Sequence, residues 1–468
     1  MTFRKRIFAF AIWICRFNFG TFEAEEFKKF LRMGLIFFVI IGVYWTLRPL
    51  KDSIFIQLVD KMDLPYAKTL SIMALLPLVM VYTKFLEQRT REKMFILLVT
   101  FYAIGIFCFA ALMFIAQISS KEVQTLSPLP FIATKILGYS WYLFVESFGS
   151  LVVSLFWAFS TDTTDPLSAK KGFPLIVALG QIGGIVFPFG IGGLPHRLGF
   201  KTDTLSITLL GFLTLLIIPL IHSFLKKTPP RLLVSFHEKN YKKGRPKHSS
   251  GFLEGLRLIL KHRYLLGIFA VNFTYEFIVT IIDFNFKLAA ATAYSGVALS
   301  HYLSFYGSIV NSVSLFCLIF GISNITRFLG VEKSLLVMPL SIGVALIGFL
   351  TVDTLSFLFV LMVASKAINY SLNGPTLKQL YIPTTTDVRF KAQAWIETFG
   401  SRSSKEVGSL FNMTLSPLQA ILGNFAGRAS YLTLTGIIAG PLVFLWFLTA
   451  FYLGRSFKKA IDGEKVIC

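Results

Sequence analysis

Apolar runs of membrane-spanning length dominate this chain. Twelve stand out, at about 33–50, 67–84, 94–117, 136–160, 172–194, 205–225, 264–286, 302–323, 332–351, 354–375, 398–423 and 431–453. A bilayer core about 30 Å thick needs roughly 20 apolar residues per helix. In lipid every backbone N–H and C=O must be satisfied within the protein, so runs of this length commit to helices. The reading is an all-α polytopic membrane protein. The runs at 136–160 and 398–423 are the most interrupted by polar residues. Composition agrees: 54% of the 468 residues are hydrophobic and 15% charged, against about 25% charged in soluble domains. The mean hydropathy is +0.68, and the 50 Phe suit a lipid-facing surface.

The formal net charge is +22. Such an excess has two sources, a nucleic-acid-binding face or the positive-inside bias of a membrane protein. Distribution decides between them. Most of the 46 Lys and Arg fall in loops on one side of the spans, which is orientation, so no nucleic-acid partner is expected. The stretch KKTPPRLLVSFHEKNYKKGRPKHSS at 226–250 lies between the sixth and seventh runs. It carries much of that charge and belongs in the cytoplasm, and an even span count then puts both termini there. The organisation predicted is an N-terminal segment at 1–32, a six-helix half at 33–225, a basic linker at 226–263, a second six-helix half at 264–453 and a tail at 454–468. MTFRKRIFAFAIWICRF at the start has the basic-then-apolar order of a signal peptide. Acidic TFEAEE follows it instead of a small-residue cleavage site, which favours a retained interfacial helix.

Six spans, a basic linker and six spans is a major-facilitator-like arrangement, in which the halves are structural repeats. Weak internal symmetry supports it. The first span ends in Arg48, Lys51 and Asp52, the seventh in Asp283 and Lys287; the fourth carries Glu146, the tenth Lys366; the fifth reads GQIGG, the eleventh GSRSSKEVGS. In that arrangement these positions line a central cavity. An unrelated twelve-helix bundle is the alternative.

Ionisable residues inside spans are costly and face water-filled cavities or each other. Those within or beside spans here are Arg48, Lys51, Glu146, Glu276, Asp283, Lys287, Lys366, Glu397, Arg402, Lys405 and Glu406. Arg48, Lys51 and Lys287 lie near span ends, where long side chains can snorkel to the interface. Glu276 has no partner visible in the sequence. Glu146 and Lys366 lie deep, and either face a cavity or bridge the two halves. Arg402 and Lys405, three apart, share a helix face. With Lys366, Arg48 and Lys51 they would make a positive cavity that is unstable when empty and demands an anion. Phosphate fits, because Arg binds it by a fork and Lys as a point charge. Asn369, Asn373, Ser401, Ser403 and Ser404 would add neutral donors. In RPLKD, Lys51 would bind the anion, Arg48 assist and Asp52 hold Lys51. Gly180 and Gly184 form a GxxxG pattern that serves either as a hinge or, the favoured reading, as small-residue helix packing.

Cys15, Cys108, Cys317 and Cys468 lack C-x-x-C spacing, so neither a disulfide framework nor a metal site is expected. The six His form no ligand cluster, and no phosphate loop, H-E-x-x-H or G-x-S-x-G is present. No cofactor and no catalytic machinery are implied.

RPLKD at 48–52, VESFGSLVVSLFWAF at 145–159, DFNFK at 283–287, NITRFLGVEKSLLVMPL at 324–340, SKAINYSLNGPTLKQLYIP at 365–383 and FKAQAWIETFGSRSSKEVGS at 390–409 resemble signatures of the ATP/ADP translocase family of intracellular bacteria and plastids. The chain departs from that pattern at Gln379, where the family has a glutamate, and at Lys391, Ala392 and Gln393, where it has lysine-glycine-lysine. The resemblance implies a monomeric carrier in a bacterial inner membrane that exchanges nucleotides, with Lys51, Glu146, Asp283, Lys287, Lys366, Arg402 and Lys405 as functional residues. A proton-coupled nucleotide importer is the alternative. A membrane enzyme acting on lipid precursors, its cations holding head groups, is a more remote one.

Overall fold

A computed structural model describes residues 23–88, 91–122, 131–164, 166–233, 252–319, 325–352, 354–463 and 466–467. Most of the N-terminal interfacial segment, and residues 234–251 of the basic linker, lie outside the described residues. Within them every regular element is helical. The order begins α1 (Ala24–Leu58), α2 (Leu64–Gln88), α3 (Arg91–Glu122), α4 (Phe131–Asp162), α5 (Pro166–Phe187), the short α6 (Leu194–Arg197) and α7 (Thr204–Lys227). It continues with α8 (Phe252–Lys261), α9 (Arg263–Ala293), α10 (Gly296–Ile319), α11 (Ile325–Thr351) and α12 (Leu355–Ile368). The last are α13 (Gly374–Gln379), α14 (Thr386–Trp395), α15 (Ser401–Asn412), α16 (Leu415–Leu422) and α17 (Asn424–Asp462).

Among the described residues, nine helices are long and apolar enough to cross a membrane. The described parts of the runs read at 302–323, 354–375 and 398–423 are mostly helical but stand apart from those nine. The first is the 24-residue α10, with Ser304, Ser308 and Asn311 along one face. The second is α12, only 14 residues long before it passes into a π-helical turn at Asn369–Asn373. The third starts in another π-helical turn, Ile396–Gly400, and continues as α15 and α16. Polar and small residues interrupt the apolar pattern where the backbone changes pitch.

The chain divides into two units. The first comprises residues 1–60, 73–246 and 293–319, so α10 joins the helices of the N-terminal part. The second comprises 61–72, 247–292 and 320–468.

In the first unit α1 is the central post, in contact with α4, α5, α7 and α10. Its apolar residues Phe30, Met33, Ile40, Val43 and Leu47 are buried with Trp141, Phe148 and Phe156 of α4 and Ile207, Leu210 and Ile217 of α7. The approach to α5 is close because glycines face α1. A Cβ at Gly180 would strike Phe37, and one at Gly183 the Phe38 carbonyl. One turn on, Gly184 leaves room for Asn311 of α10, and Ser308 donates a 3.0 Å hydrogen bond to the Ile185 carbonyl. This is packing by small residues, which brings backbones together where lipid offers no hydrophobic drive. Near the start of α1, buried Lys29 donates to the carbonyls of Thr163 (2.6 Å) and Leu232 (2.7 Å). One ammonium thus satisfies carbonyls beyond two helix ends.

In the second unit α17 packs along α11 and α16. A buried polar chain fixes α9, α15 and α17 together. Tyr431 Oη donates to Asn412 Oδ1 at 2.7 Å and accepts from Asn285 Nδ2 at 3.2 Å. Asn412 Nδ2 in turn donates to the Thr280 carbonyl at 3.3 Å. Lys391 of α14 pairs with Glu254 of α8 at 2.7 Å.

Asp203 stands immediately before α7 but does not cap it. Its carboxylate is buried and accepts from Ser300 (2.7 Å) and Gln57 (3.4 Å), while Ser300 also bonds Ser53 at 2.8 Å. Burial pushes this carboxyl up to about 6, against the weaker downward pull of the two hydrogen bonds. A carboxyl raised in the folded state holds its proton there at a pH where the unfolded chain has lost it. Folding is therefore favoured at low pH and loses stability between about pH 4 and 6, by up to about 3 kcal/mol. Thermal unfolding in detergent across that range should show this slope. Asp203→Asn should flatten it, and an unchanged slope would remove Asp203 as its source.

Candidate functional site

The first unit places one cation of the RPLKD stretch inside the protein. Lys51 is only 5% exposed. Its Nζ lies 2.6 Å from Glu146 Oε2 of α4, 3.8 Å from Asp52 and 4.1 Å from the centre of the Tyr142 ring. Lys51 is therefore not snorkelling. Glu146 is its nearer carboxylate, and Asp52, expected to hold it, is the more distant. Glu146 pairs with Lys51 within its own unit. The pair is asymmetric: the Glu146 side chain is 41% exposed, that of Lys51 7%. Arg48, one turn earlier, stacks over Trp45 at 5.3 Å.

The second unit gathers a network along α9. Glu276 and Asp283 are seven residues apart, two turns on one helix face. Asp283 pairs with Lys287 one turn on, at 2.7 Å. Glu276 meets Lys405 of α15 at 3.4 Å and accepts a 2.9 Å hydrogen bond from Ser401. Lys366 of α12 acts electrostatically on both carboxylates, and Lys68 acts on Asp283. Within this unit the lysines alternate with carboxylates, Lys287–Asp283, Lys366, Glu276–Lys405. With Lys68 counted, four lysines act on these two carboxylates, so the cluster keeps a positive surplus.

Backbone breaks flank these lysines. The π-helical turn Asn369–Asn373 begins three residues after Lys366, and Asn373 donates to Asn369 Oδ1 within it at 2.8 Å. The turn Ile396–Gly400 ends immediately before the helix that carries Arg402 and Lys405. Such turns recur at functional sites, and discontinuous helices line the binding sites of many transporters. A third π-helical turn, Pro188–Gly192, follows the GxxxG glycines in the first unit. Gly180 and Gly184 themselves lie against Phe37 and Asn311 of neighbouring helices. Tyr142 was not picked out from sequence and carried no signal. Glu276 was noted as a span carboxylate, but its partners Lys405 and Ser401 were not visible.

The model of the TLC ATP/ADP transporter family matches residues 14–359. The chain belongs to that family. The ADP,ATP carrier protein 1 of Rickettsia typhi is 25% identical over 95% of this chain and 96% of its own length. The ADP,ATP carrier protein 4 of Rickettsia felis is 22% identical over 94% of each. Among solved structures, a bacterial homologue of the iron transporter ferroportin, facing inward, has a TM-score of 0.60 at 10% identity, covering 92% of this chain and 98% of that one. The nucleoside transporter NupG has a TM-score of 0.56 at 14% identity, covering 90% and 98%. These neighbours are major-facilitator-like, and that is the fold of this TLC transporter. It is an integral, multi-pass membrane protein.

The asymmetry of the Lys51–Glu146 pair has a measurable consequence. Removing Glu146 strands a buried ammonium with only the more distant Asp52, whereas removing Lys51 leaves a half-exposed carboxylate that water can solvate. Glu146→Gln should cost about 2 kcal/mol, less than the 3–5 of a fully buried pair. Lys51→Met should cost clearly less, and the double variant should recover most of the loss. Melting temperatures of the three in detergent check the order, and the reverse order would contradict it.

Proposed function

We propose that this protein is a secondary transporter that exchanges ATP for ADP across a bacterial inner membrane by alternating access. It works as a monomer with both termini in the cytoplasm and needs no cofactor or nucleic acid. The observation that carries the reading is a set of span lysines, each beside a carboxylate, in a chain of an ATP/ADP transporter family: Lys51 with Glu146, Lys287 with Asp283, Lys405 with Glu276. The names of the relatives support the nucleotide pair.

In this mechanism the carboxylates are stand-in anions. Substrate phosphates compete with them for the lysines and replace a protein counter-ion by a substrate one. Lys51 contacts phosphate with Arg48 beside it; Lys287, Lys366 and Lys405 do so in the second unit. Arg402 supplies a planar fork suited to two phosphate oxygens. Asn369 in its π-helical turn offers a neutral donor, and Asp52 keeps Lys51 in register.

The test is counter-exchange in liposomes. Vesicles loaded with ADP should take up labelled ATP, empty vesicles little, and a protonophore should not change the rate. Uptake that follows a proton gradient would favour the importer instead, and no uptake with any internal nucleotide would overturn the reading. Lys51→Ala, present in the membrane at near-normal level, should weaken ATP binding by about 1.5–3 kcal/mol and adenosine binding much less. Normal transport per molecule would remove Lys51 from the phosphate site.

A further inference from the structure

Glu276 belongs to none of the paired span positions that the sequence symmetry picks out, yet it holds a lysine more accessible than Lys287. The Lys405 side chain is 41% exposed, against 16% for Lys287. Lys287 is tied at 2.7 Å to Asp283 on its own helix, a local pair that any placement of α9 preserves. Glu276 reaches Lys405 across two helices at a looser 3.4 Å, and its own side chain is 15% exposed. Its orientation is set by Ser401, whose hydroxyl donates to Oε1 at 2.9 Å from the first residue after the π-helical turn Ile396–Gly400. Lys366 acts on the same carboxylate from α12. Glu276 is thus the point where the charges of α9, α12 and α15 are balanced.

We propose that Glu276 is a specificity-determining residue that sets how many phosphate charges the site accepts. The inference rests on the nucleotide-exchange reading above. ATP carries one more negative charge than ADP. With Glu276 ionised, its charge offsets one of the lysines around it, and the site discriminates weakly between the two nucleotides, as an exchanger of both requires. Neutralising Glu276 leaves Lys405 and Lys366 with one more uncompensated charge between them. The additional phosphate of ATP then gains an attraction that ADP lacks. At about 6 Å, in a water-filled and partly screened site, a unit charge difference is worth about tenfold in relative affinity. Had Glu276 only a structural part, its loss would weaken all nucleotides together and leave their ratio alone.

The experiment measures competition by unlabelled ATP, ADP and AMP against labelled ATP uptake into ADP-loaded liposomes. Wild type must first show exchange; if it does not, the nucleotide reading fails and not this assignment. Given exchange, Glu276→Gln should shift the ATP-to-ADP preference toward ATP by about tenfold, and AMP should fall further behind. Glu276→Asp, which keeps the charge, should retain a near-wild-type ratio. Lys405→Gln should shift the preference the other way, and Glu276→Gln with Lys405→Gln should restore the ratio while lowering affinity. If Glu276→Gln does not fold, the double variant, which removes both charges together, carries the test against Lys405→Gln alone. An unchanged ATP-to-ADP ratio in Glu276→Gln, or a double variant that behaves like Lys405→Gln, would overturn the proposal.

Discussion

A lysine inside a membrane span has to be neutralised where it stands, and both units are organised by the carboxylates that do it. An unpaired charge at the centre of a span costs at least about 2.5–3.5 kcal/mol. The chain meets this with one local pair, Asp283 and Lys287, and with two that cross between helices. Lys51 to Glu146 joins α1 to α4; Lys405 to Glu276 joins α15 to α9. The same bonds that make the cations tolerable are therefore tertiary ties. Lys29 solves the problem differently, with backbone carbonyls in place of a carboxylate. Those carbonyls are permanent partners. A carboxylate can be outcompeted by another anion, which separates an anchoring lysine from one able to bind substrate.

The two units hold their charges on different scaffolds. In the first, α1 is clasped by four helices, and the glycine face of α5 lets it approach to backbone contact. Lys51 therefore sits on a long, uninterrupted helix, although Pro49 lies within it. In the second, Lys366 and Lys405 sit beside π-helical turns, where the ladder of hydrogen bonds changes register. A register change re-aims the following residues by a large fraction of a turn. That is how Ser401 comes to face Glu276 while Tyr431, Asn412 and Asn285 keep the lower part of the same bundle locked.

What was legible in the sequence follows from the range of each signal. Span existence is local, and all-helical architecture could be read from apolar length alone. The identity of the charged residues was legible for the same reason, since an ionisable residue in an apolar run is conspicuous. Pairing is not local. Lys51 and Glu146 are 95 residues apart, and only the rotation of α1 against α4 decides that they meet, so Lys366 looked equally good as a partner. Asp283 and Lys287 could have been matched by their four-residue spacing. Because the partners were hidden, the cations summed to an uncompensated positive cavity, whereas the folded chain interleaves carboxylates. The π-helical turns left only an indirect trace, as polar breaks that made the last spans look weak. The grouping of α10 with the first unit left no trace, because Ser304, Ser308 and Asn311 read as polar interruptions until the glycines of α5 are set opposite them.

The interleaving changes how coupling has to be understood. A bare cluster of cations would forbid passage of an empty carrier outright, since like charges cannot be brought together in a medium of low dielectric. With Glu146, Asp283 and Glu276 in place most of that repulsion is cancelled internally, and the empty protein is a tolerable state. What remains in the second unit is a surplus of lysines, Lys68, Lys287, Lys366 and Lys405 against Asp283 and Glu276. On the proposed reading that surplus favours the loaded over the empty carrier. It is also small enough that the carboxylates can retake their lysines when the phosphates leave. Tight uncompensated binding would hold the nucleotide and stall release. Exchange at a useful rate needs substrate and protein anions of comparable hold on the same lysines, and on the proposed reading the paired geometry would supply that balance.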